Sequence, residues 1–400
     1  MNTTVLPVRD LNESLIQPAT DPGEGTRACG SGSQKDMDSM KKDCTIRRRT
    51  FDPAAVILLI CLVLGMCAGC GRNQVSTKNT DAGYAACEAS DFRGAETLFR
   101  DAASQGEEPV QAYRGLGIAL MGQARYAEAL EAFDQAIACT DDRMPETVAD
   151  LLQYRITCQY RMRDYEGCVA TGNELTAMDD RMVMAYYYIG AARLNMGNQD
   201  EAKANFDYAV SLQPENYKLY LDIYSVYEDA KLSGIGDEYL QTALGIAPKT
   251  TEDHYNVGRI YFYLEEYDEA ASALIIPVQE KFGPALSLMG QIYLARKDYD
   301  NARAVYTQIL DQDSENKDAY NGLALCALAV DDPDTALDYI TKGLGLSGEE
   351  GKQELYFNEI TAYEKKLDFL TARDKCRTYV EMYPTDEDGI KELKFLNTRG

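Results

Sequence analysis

Apolar residues between about residues 76 and 385 recur at spacings of three and four, which is the pattern of amphipathic α-helices. Within this pattern a small residue returns at a nearly constant interval, and an aromatic or branched residue often follows it four positions later. The spacings between successive small residues are 34, 39, 34, 34, 34, 32, 34 and 36. These nine anchor positions are Ala95, Ala129, Cys168, Ala202, Gly236, Ala270, Ala302, Ala336 and Ala372.

The positions around each anchor predict a pair of antiparallel helices. A large residue and then a small one precede the anchor by thirteen and twelve positions, as at Leu116–Gly117 and Ile189–Gly190. The small residues let two helices cross closely, and larger ones fill the space between neighbouring pairs. No single pair buries its own apolar stripe, so stacking of the copies supplies the core.

This pattern resembles the tetratricopeptide repeat (TPR), in nine copies whose register persists over hundreds of residues. The resemblance implies an all-α fold, a TPR superhelical solenoid of about nine helix-turn-helix repeats with a C-terminal capping helix. We expect the array at residues 81–385. A capping helix and tail follow at 386–400, with Glu387–Leu396 forming the polar-faced helix.

Two copies depart from the pattern. The third is preceded by a longer connection through Pro145 and has Gly172 where an aromatic residue is usual. The sixth carries Pro277 inside its second helix, and the next copy arrives two residues early. Because proline removes a backbone hydrogen bond, we expect a kink there. Both departures are consistent with simple divergence or with altered curvature of the array.

The N-terminal residues indicate export. Residues 1–39 are polar and without periodicity, which predicts a disordered extension or an over-extended start. Residues 40–70 combine a basic segment with an apolar run that ends at Cys70, and a linker follows at 71–80. Ala68 and Gly69 before Cys70 resemble a bacterial lipoprotein signal, which implies lipidation at Cys70. Cys67 stands where leucine is usual, and an uncleaved signal anchor is the alternative. Either way we expect residues 71–400 on the extracytoplasmic face of the cell membrane.

The distribution of charge narrows the classes of possible partner. Residues 1–70 hold eight basic and eight acidic residues, so the net charge of −25 falls on residues 71–400. A surface this acidic excludes binding to nucleic acid through phosphate neutralisation and favours basic partners.

The later cysteines occur singly on predicted helices and are expected in the core, although a disulfide between Cys158 and Cys168 is an open alternative. They are Cys87, Cys139, Cys158, Cys168, Cys326 and Cys376.

Residues for catalysis are sparse. His254 is the only histidine, which excludes multi-histidine zinc sites. Gly343–Gly348 matches a glycine-rich dinucleotide motif but follows a predicted helix instead of a strand. Asp311, Asp313 and Glu315 resemble part of a calcium loop, but Asn316 replaces its glycine. We therefore expect no enzyme activity, no cofactor and no metal site.

The family resemblance also implies where a partner binds, because in this family the first helices line a concave groove. Aromatic residues and arginine at inward positions are the types that carry interface energy. The known clamp for C-terminal carboxylates is absent, since Ile118 and Asp150 stand where it needs Asn and Lys. The expected groove residues are Arg114, Tyr160, Tyr187, Leu221, Tyr255, Arg259, Phe262 and Asn321, with Ile118, Met121, Gln153, Leu294 and Phe357 as further inward positions.

These observations predict a membrane-tethered scaffold or adaptor for protein–protein interactions in the bacterial cell envelope. The alternatives are an envelope chaperone or assembly accessory factor, and a solute-binding lipoprotein, which requires a two-lobed α/β fold.

Overall fold

Twenty α-helices and no strand make up the regular structure of residues 77–399, which are the residues that the computed structural model describes. The predictions for residues 1–39, for residues 40–70 and for Cys70 lie outside the described residues. The helices are α1 Lys78–Glu88, α2 Phe92–Gln105, α3 Pro109–Gly122, α4 Tyr126–Ala138, α5 Pro145–Arg161, α6 Tyr165–Met178, α7 Val183–Asn195, α8 Gln199–Leu212, α9 Tyr217–Asp229, α10 Ser233–Ala243, α11 Thr251–Tyr263, α12 Tyr267–Ala273, α13 Ile275–Gln279, α14 Gly283–Ala295, α15 Tyr299–Gln312, α16 Lys317–Ala329, α17 Pro333–Leu344, α18 Lys352–Lys365, α19 Phe369–Met382 and α20 Glu387–Leu396.

The helices pack as nine consecutive hairpins, and α20 covers the last of them. The all-α solenoid fold and its capping helix are therefore confirmed. Helix α1 already begins at Lys78, inside the segment that the sequence predicted as a linker. None of the helices in residues 77–399 is both long enough and apolar enough to cross a membrane.

The first helices of successive repeats lie closer together than the second helices. Helix α5 packs on α7, α7 on α9, α9 on α11, and this continues to α16 and α18, whereas successive second helices share no comparable packing. The stack of hairpins therefore curves with the first helices on its inner side. This arrangement places their free faces along one continuous groove.

The small residues are needed because large side chains of the second helices pack directly on the first helices. All nine anchor positions are buried. A Cβ atom on Gly117 would lie 2.5 Å from the Phe133 ring, and one on Gly290 would lie 2.6 Å from the Tyr306 ring. These distances are far below van der Waals contact. The small residue of each large-then-small pair therefore lies where the two helices cross most closely.

The turn inside each hairpin has one residue in the left-handed backbone region. In residues 77–399 only the fourth repeat uses glycine there, at Gly197, whereas Lys231 has a φ of 60° and Leu367 a φ of 59°. The second helix usually starts directly after this residue with a side-chain cap. The capping aspartates accept a hydrogen bond from a backbone N–H three residues on, and they are Asp91, Asp164, Asp298, Asp332 and Asp368.

The third and sixth repeats show how the irregular sequences fold. Pro145 is the first residue of α5 and not part of a longer connection. Proline is well tolerated at this position, because a backbone N–H there would have no acceptor within the helix. The Ile189 and Ile156 side chains fill the space beside Gly172. In the sixth repeat, the predicted interruption is confirmed: α12 ends at Ala273 and α13 begins at Ile275, and Pro277 is buried.

Most of the cysteines serve as core residues. Cys158, Cys168, Cys326 and Cys376 are buried, as predicted, and all six cysteines of residues 77–399 are free thiols. The Cys168 thiol donates a hydrogen bond to the Tyr188 carbonyl at 3.7 Å, and no bridge joins Cys158 to Cys168. The prediction of a core position is wrong for Cys139, whose side chain is exposed.

Candidate protein-binding groove

At the N-terminal end of the groove Arg114 is held inside a network that crosses three repeats. Its Nε donates to the Asp150 carboxylate at 2.6 Å and its Nη2 to the Tyr154 hydroxyl at 3.2 Å. The guanidinium also lies over the Tyr154 ring, 5.2 Å from its centre, and contacts the Tyr84 hydroxyl. The Asp150 carboxylate raises the pKa of Arg114 despite its partial burial. The cation is therefore paired already, and a partner's carboxylate would have to compete with Asp150.

In the third and fourth repeats, Tyr160 reaches the groove surface. Its ring packs 5.5 Å from that of Tyr188 and 5.9 Å from that of Tyr165. The Asn195 side chain donates to the Tyr160 hydroxyl at 3.4 Å and accepts from the Tyr165 hydroxyl at 3.1 Å. Tyr160 is half-buried and Asn195 is exposed. The Asn195 amide also donates to the Ala191 carbonyl at 2.9 Å, so it holds the two tyrosine rings in place as a fixed aromatic face.

Two predicted groove residues are corrected by the structure. Tyr187 is only 1% exposed and Leu221 only 3%, and the Tyr187 ring packs 6.0 Å from that of Phe206 on α8. Burial raises the pKa of the Tyr187 hydroxyl well above its usual value. Neither side chain presents surface to a partner, so their role is to hold the helices together.

Beside Leu221, Asp222 keeps 16% of its side chain exposed to the groove, and sequence reasoning missed this residue. Lys218, one turn earlier, donates to its carboxylate at 2.6 Å. Burial raises the pKa of Asp222, and the positive charges of Lys218 and Arg259 oppose that shift. A signal was present in the sequence, since Asp222 is an acidic residue next to a predicted inward position in a helix that is otherwise rich in apolar and aromatic residues.

The sixth repeat gathers three of the predicted groove residues. The Arg259 guanidinium lies 5.9 Å from the centre of the Tyr255 ring and 6.0 Å from that of Tyr263 on the same helix. Phe262 packs against Tyr267 with ring centres 5.9 Å apart. Tyr255, Arg259 and Phe262 all keep part of their surface exposed. Aromatic rings with a cation between them form a platform for apolar and aromatic side chains.

The C-terminal part of the groove is more polar. The Asn358 side chain donates to the Asn321 side chain at 2.7 Å, which joins the eighth and ninth repeats, and both residues are half-buried. Ile118, Gln153 and Phe357 also keep exposed surface. The predicted inward positions of Met121 and Leu294 are corrected, because both side chains are buried.

The groove therefore has one region that suits recognition, between α5 and α11. It combines Tyr160, Asn195, Asp222, Tyr255 and Arg259 from four successive repeats, which we call the central groove. Rigid aromatic rings bury large areas of a bound segment at little entropic cost, and the polar groups fix the orientation of that segment. Residues 77–399 contain no group of three or more histidine, cysteine or acidic residues placed to hold a metal ion.

Comparison with known proteins agrees with this geometry. Three separate segments match family models described as tetratricopeptide repeat, at residues 80–143, 184–216 and 293–344. With its stacked hairpins and buried small anchors, the chain is a tetratricopeptide-repeat protein. It is accordingly a scaffold for protein–protein interaction.

One curated relative and two solved structures illustrate the range of similar proteins. The BBSome complex member BBS4 homolog of Drosophila melanogaster is 26% identical over 152 residues, which are 37% of this chain and 31% of the relative. The chain thus matches about a third of that relative's length. A tetratricopeptide repeat protein from Parabacteroides merdae is 14% identical, with 72% of this chain and 98% of that chain covered and a TM-score of 0.46. Yeast Tom70 is 11% identical, with 80% and 81% covered and a TM-score of 0.47.

Proposed function

We propose that this chain is a membrane-tethered adaptor of the bacterial cell envelope that binds a segment of a partner protein in the central groove. The observation that supports this most is the row of partly exposed Tyr160, Tyr255 and Arg259 on the inner faces of first helices. Fixed aromatic rings and an arginine on a concave surface are typical of sites that carry binding energy. The described residues are all-helical, which disfavours the alternative of a two-lobed solute-binding lipoprotein.

The partner segment is proposed to be basic overall. The net charge of −25 produces a negative potential that attracts basic segments and accelerates their association. Within the central groove a lysine or arginine of the partner would compete with Lys218 for the carboxylate of Asp222, while the rings of Tyr160 and Tyr255 take its apolar side chains. The role is one of binding and bringing proteins together, without catalysis.

The groove is tested by crosslinking the full chain to native envelope extract and identifying the captured proteins by mass spectrometry. A Tyr255→Ala/Arg259→Glu variant should lose a discrete partner that the unaltered chain retains. A Tyr208→Ala/Arg303→Glu variant makes the same chemical changes on exposed positions of second helices and should retain it. Circular dichroism verifies that both variants are folded. Equal capture by all three chains would place the binding site elsewhere.

The tether is proposed to be a lipid on Cys70, at the extracytoplasmic face. It is supported by the basic segment, the apolar run and the Ala68–Gly69–Cys70 sequence. Metabolic labelling with an alkyne fatty acid in a bacterial host should label the chain, and Cys70→Ala should abolish the label. If the Cys70→Ala chain and the unaltered chain both stay unlabelled in the membrane fraction, the segment is an uncleaved anchor.

A further inference from the structure

The second helix of the sixth repeat differs from all the others on its outer face. Ile275 and Ile276, five and six residues after the anchor, are 53% and 39% exposed. The corresponding positions of the other eight repeats are also exposed, but they are polar or charged apart from one tyrosine. Those pairs are Arg100–Asp101, Asp134–Gln135, Asn173–Glu174, Asp207–Tyr208, Gln241–Thr242, Thr307–Gln308, Thr341–Lys342 and Arg377–Thr378.

The same repeat also contains a cavity. Its volume is about 350 Å³, and it lies between the first and second helices of the same repeat. Ser272, at its edge, precedes Ile275 and Ile276 by three and four residues, so the two side chains continue the helix face that borders the cavity. The floor of the cavity is formed by Val257, Tyr261 and Ala273, and its rim carries His254, Asp268 and Glu269.

Pro277 divides the second helix of this repeat into two short helices. Pro277 has no N–H to donate to the carbonyl of Ala273, and α12 ends at that residue. The chain then continues as the short helix α13, whose buried side is taken by Pro277. Where a regular repeat has one continuous second helix, this repeat has two short ones with aliphatic residues left outside.

The cavity and the residues that precede it in the sequence are strongly acidic. Glu265, Glu266, Asp268 and Glu269 stand within a single stretch at the start of the second helix. Asp268 pairs with Arg296 at 3.0 Å while its side chain stays 80% exposed. The three glutamates make no ion pair within residues 77–399. Exposed aliphatic residues beside unpaired carboxylates complement a ligand that is both apolar and basic.

We propose that this outer surface of the sixth repeat, formed by the cavity with Ile275 and Ile276, is a second docking site for a basic amphipathic segment of a protein. A bulky apolar side chain of that segment fills the cavity, and its lysines or arginines meet the carboxylates of the rim. Two other occupants are disfavoured by charge. A second copy of this chain and an anionic membrane would both be repelled by a net charge of −25.

The proposed site goes beyond the central groove because it contains none of the groove residues: its exposed isoleucines lie on α13, whereas Tyr255 and Arg259 lie on the first helix α11. One chain is then able to hold two different segments at the same time. A chain that binds two segments at once brings two partner proteins close to each other.

The test uses the full chain and a fluorescent helical peptide of leucines and lysines, with binding measured by fluorescence anisotropy. Ile275→Gln/Ile276→Thr installs the pair found in the fifth repeat and should weaken binding at least about tenfold. Glu265→Gln/Glu269→Gln, which leaves the Asp268–Arg296 pair intact, should also weaken it. The matched change Thr307→Gln/Gln308→Thr in the seventh repeat should have no effect.

Control peptides and mapping make the outcome decisive. Replacing the leucines of the peptide by serine, or its lysines by glutamate, should abolish binding, and hydrogen exchange should show protection of α12 and α13 in the complex. Equal affinity of the unaltered chain and the isoleucine variant would overturn the proposal, as would equal binding of the serine peptide. A dimer in sedimentation that the isoleucine variant dissociates would also overturn it, because a second copy would then be the occupant.

Discussion

The carboxyl groups of Glu364 on α18 and Glu392 on the capping helix α20 face each other. One oxygen of each is buried, and among residues 77–399 the only donor in reach is the opposite carboxyl when it is protonated. Burial, together with the hydrogen bond to Glu392 and its charge, raises the pKa of Glu364 to about 8. The pair also raises the pKa of the nearby Cys376 thiol, although burial is the main cause there. Burial and the facing carboxyl therefore favour the protonated form of Glu364 where the last repeat meets the capping helix.

The first prediction concerns pH. Because the pKa of Glu364 is higher in the folded chain than its ordinary value of 4.5, the folded state binds the proton more tightly than the unfolded state does. The contribution of the protonated Glu364 carboxyl to the stability of the folded state is complete below about pH 4.5 and is lost as the pH rises towards 8. Glu364→Gln should remove this dependence, giving a higher Tm than the parent at pH 8 and a similar one at pH 5.

The measurement is thermal unfolding followed by circular dichroism across that pH range. Glu381→Gln, at an exposed position on the adjacent helix α19, is the matched control and should leave the pH dependence unchanged. Parallel curves for the parent and Glu364→Gln would show that the two carboxyls are not coupled in solution.

The second prediction concerns the network at Arg114. Its side chain is 21% exposed and that of Asp150 is 34% exposed, so both charges are partly withdrawn from water. Removing one partner leaves the other incompletely paired, and Arg114→Ala should lower the free energy of unfolding by about 1 to 2 kcal/mol. Urea denaturation measures the change, and the Arg114→Ala/Asp150→Ala double mutant should cost less than the sum of the single changes.

The control for this network is Arg143, which pairs with Asp141 at 2.6 Å but is 88% exposed. Arg143→Ala should have no measurable effect on unfolding, because water screens exposed pairs. Equal losses for Arg114→Ala and Arg143→Ala would contradict the structural difference between the two pairs.

The third prediction concerns the helix crossings. Gly117→Ala adds a Cβ atom that would lie 2.5 Å from the Phe133 ring, so it should destabilise the chain by about 1 to 3 kcal/mol through overpacking. Gly234→Ala, in α10, meets nothing within 4 Å and should stabilise by up to about 1 kcal/mol, since alanine favours the helix. Denaturant midpoints distinguish the two, and the same sign for both would disprove the crowding at Gly117.

The fourth prediction concerns the last intra-repeat turn. Leu367 has a φ of 59° and is 74% exposed, so it has the backbone strain of the left-handed region without compensating burial. Leu367→Asn should stabilise the chain by about 1 kcal/mol, because asparagine tolerates this region better than leucine. Leu370→Asn, at a helical position that is also exposed, should not stabilise it. Differential scanning calorimetry compares both variants, and a lower Tm for Leu367→Asn would rule the strain out.

The hairpins were predictable because their determinants are local and repeated. Anchors such as Ala95 and Ala302 are small wherever two helices cross, and the spacing between them sets the length of each hairpin. Pro277 likewise predicted the break in the sixth repeat, since a missing N–H acts within its own helix. The start of α5 was misjudged because Pro145 reads as a loop residue, although proline is well suited to the first position of a helix.

The groove was predicted only in part. Tyr160, Tyr255, Arg259, Phe262 and Asn321 keep exposed surface, and Arg114 keeps less because Asp150 and Tyr154 enclose it. Helical periodicity identifies the inner face of a first helix, but not how far the neighbouring helix covers it.

The sequence by itself determined the all-α class, the nine hairpins and the acidic surface, because small anchors, helical periodicity and net charge act at every repeat in the same way. The tertiary structure decided that Tyr187 is buried while Asp222 reaches the groove, and that Glu364 faces Glu392. Those outcomes depend on the angle and distance between neighbouring helices. That geometry is fixed by the packing of many side chains at once, and no single stretch of sequence specifies it.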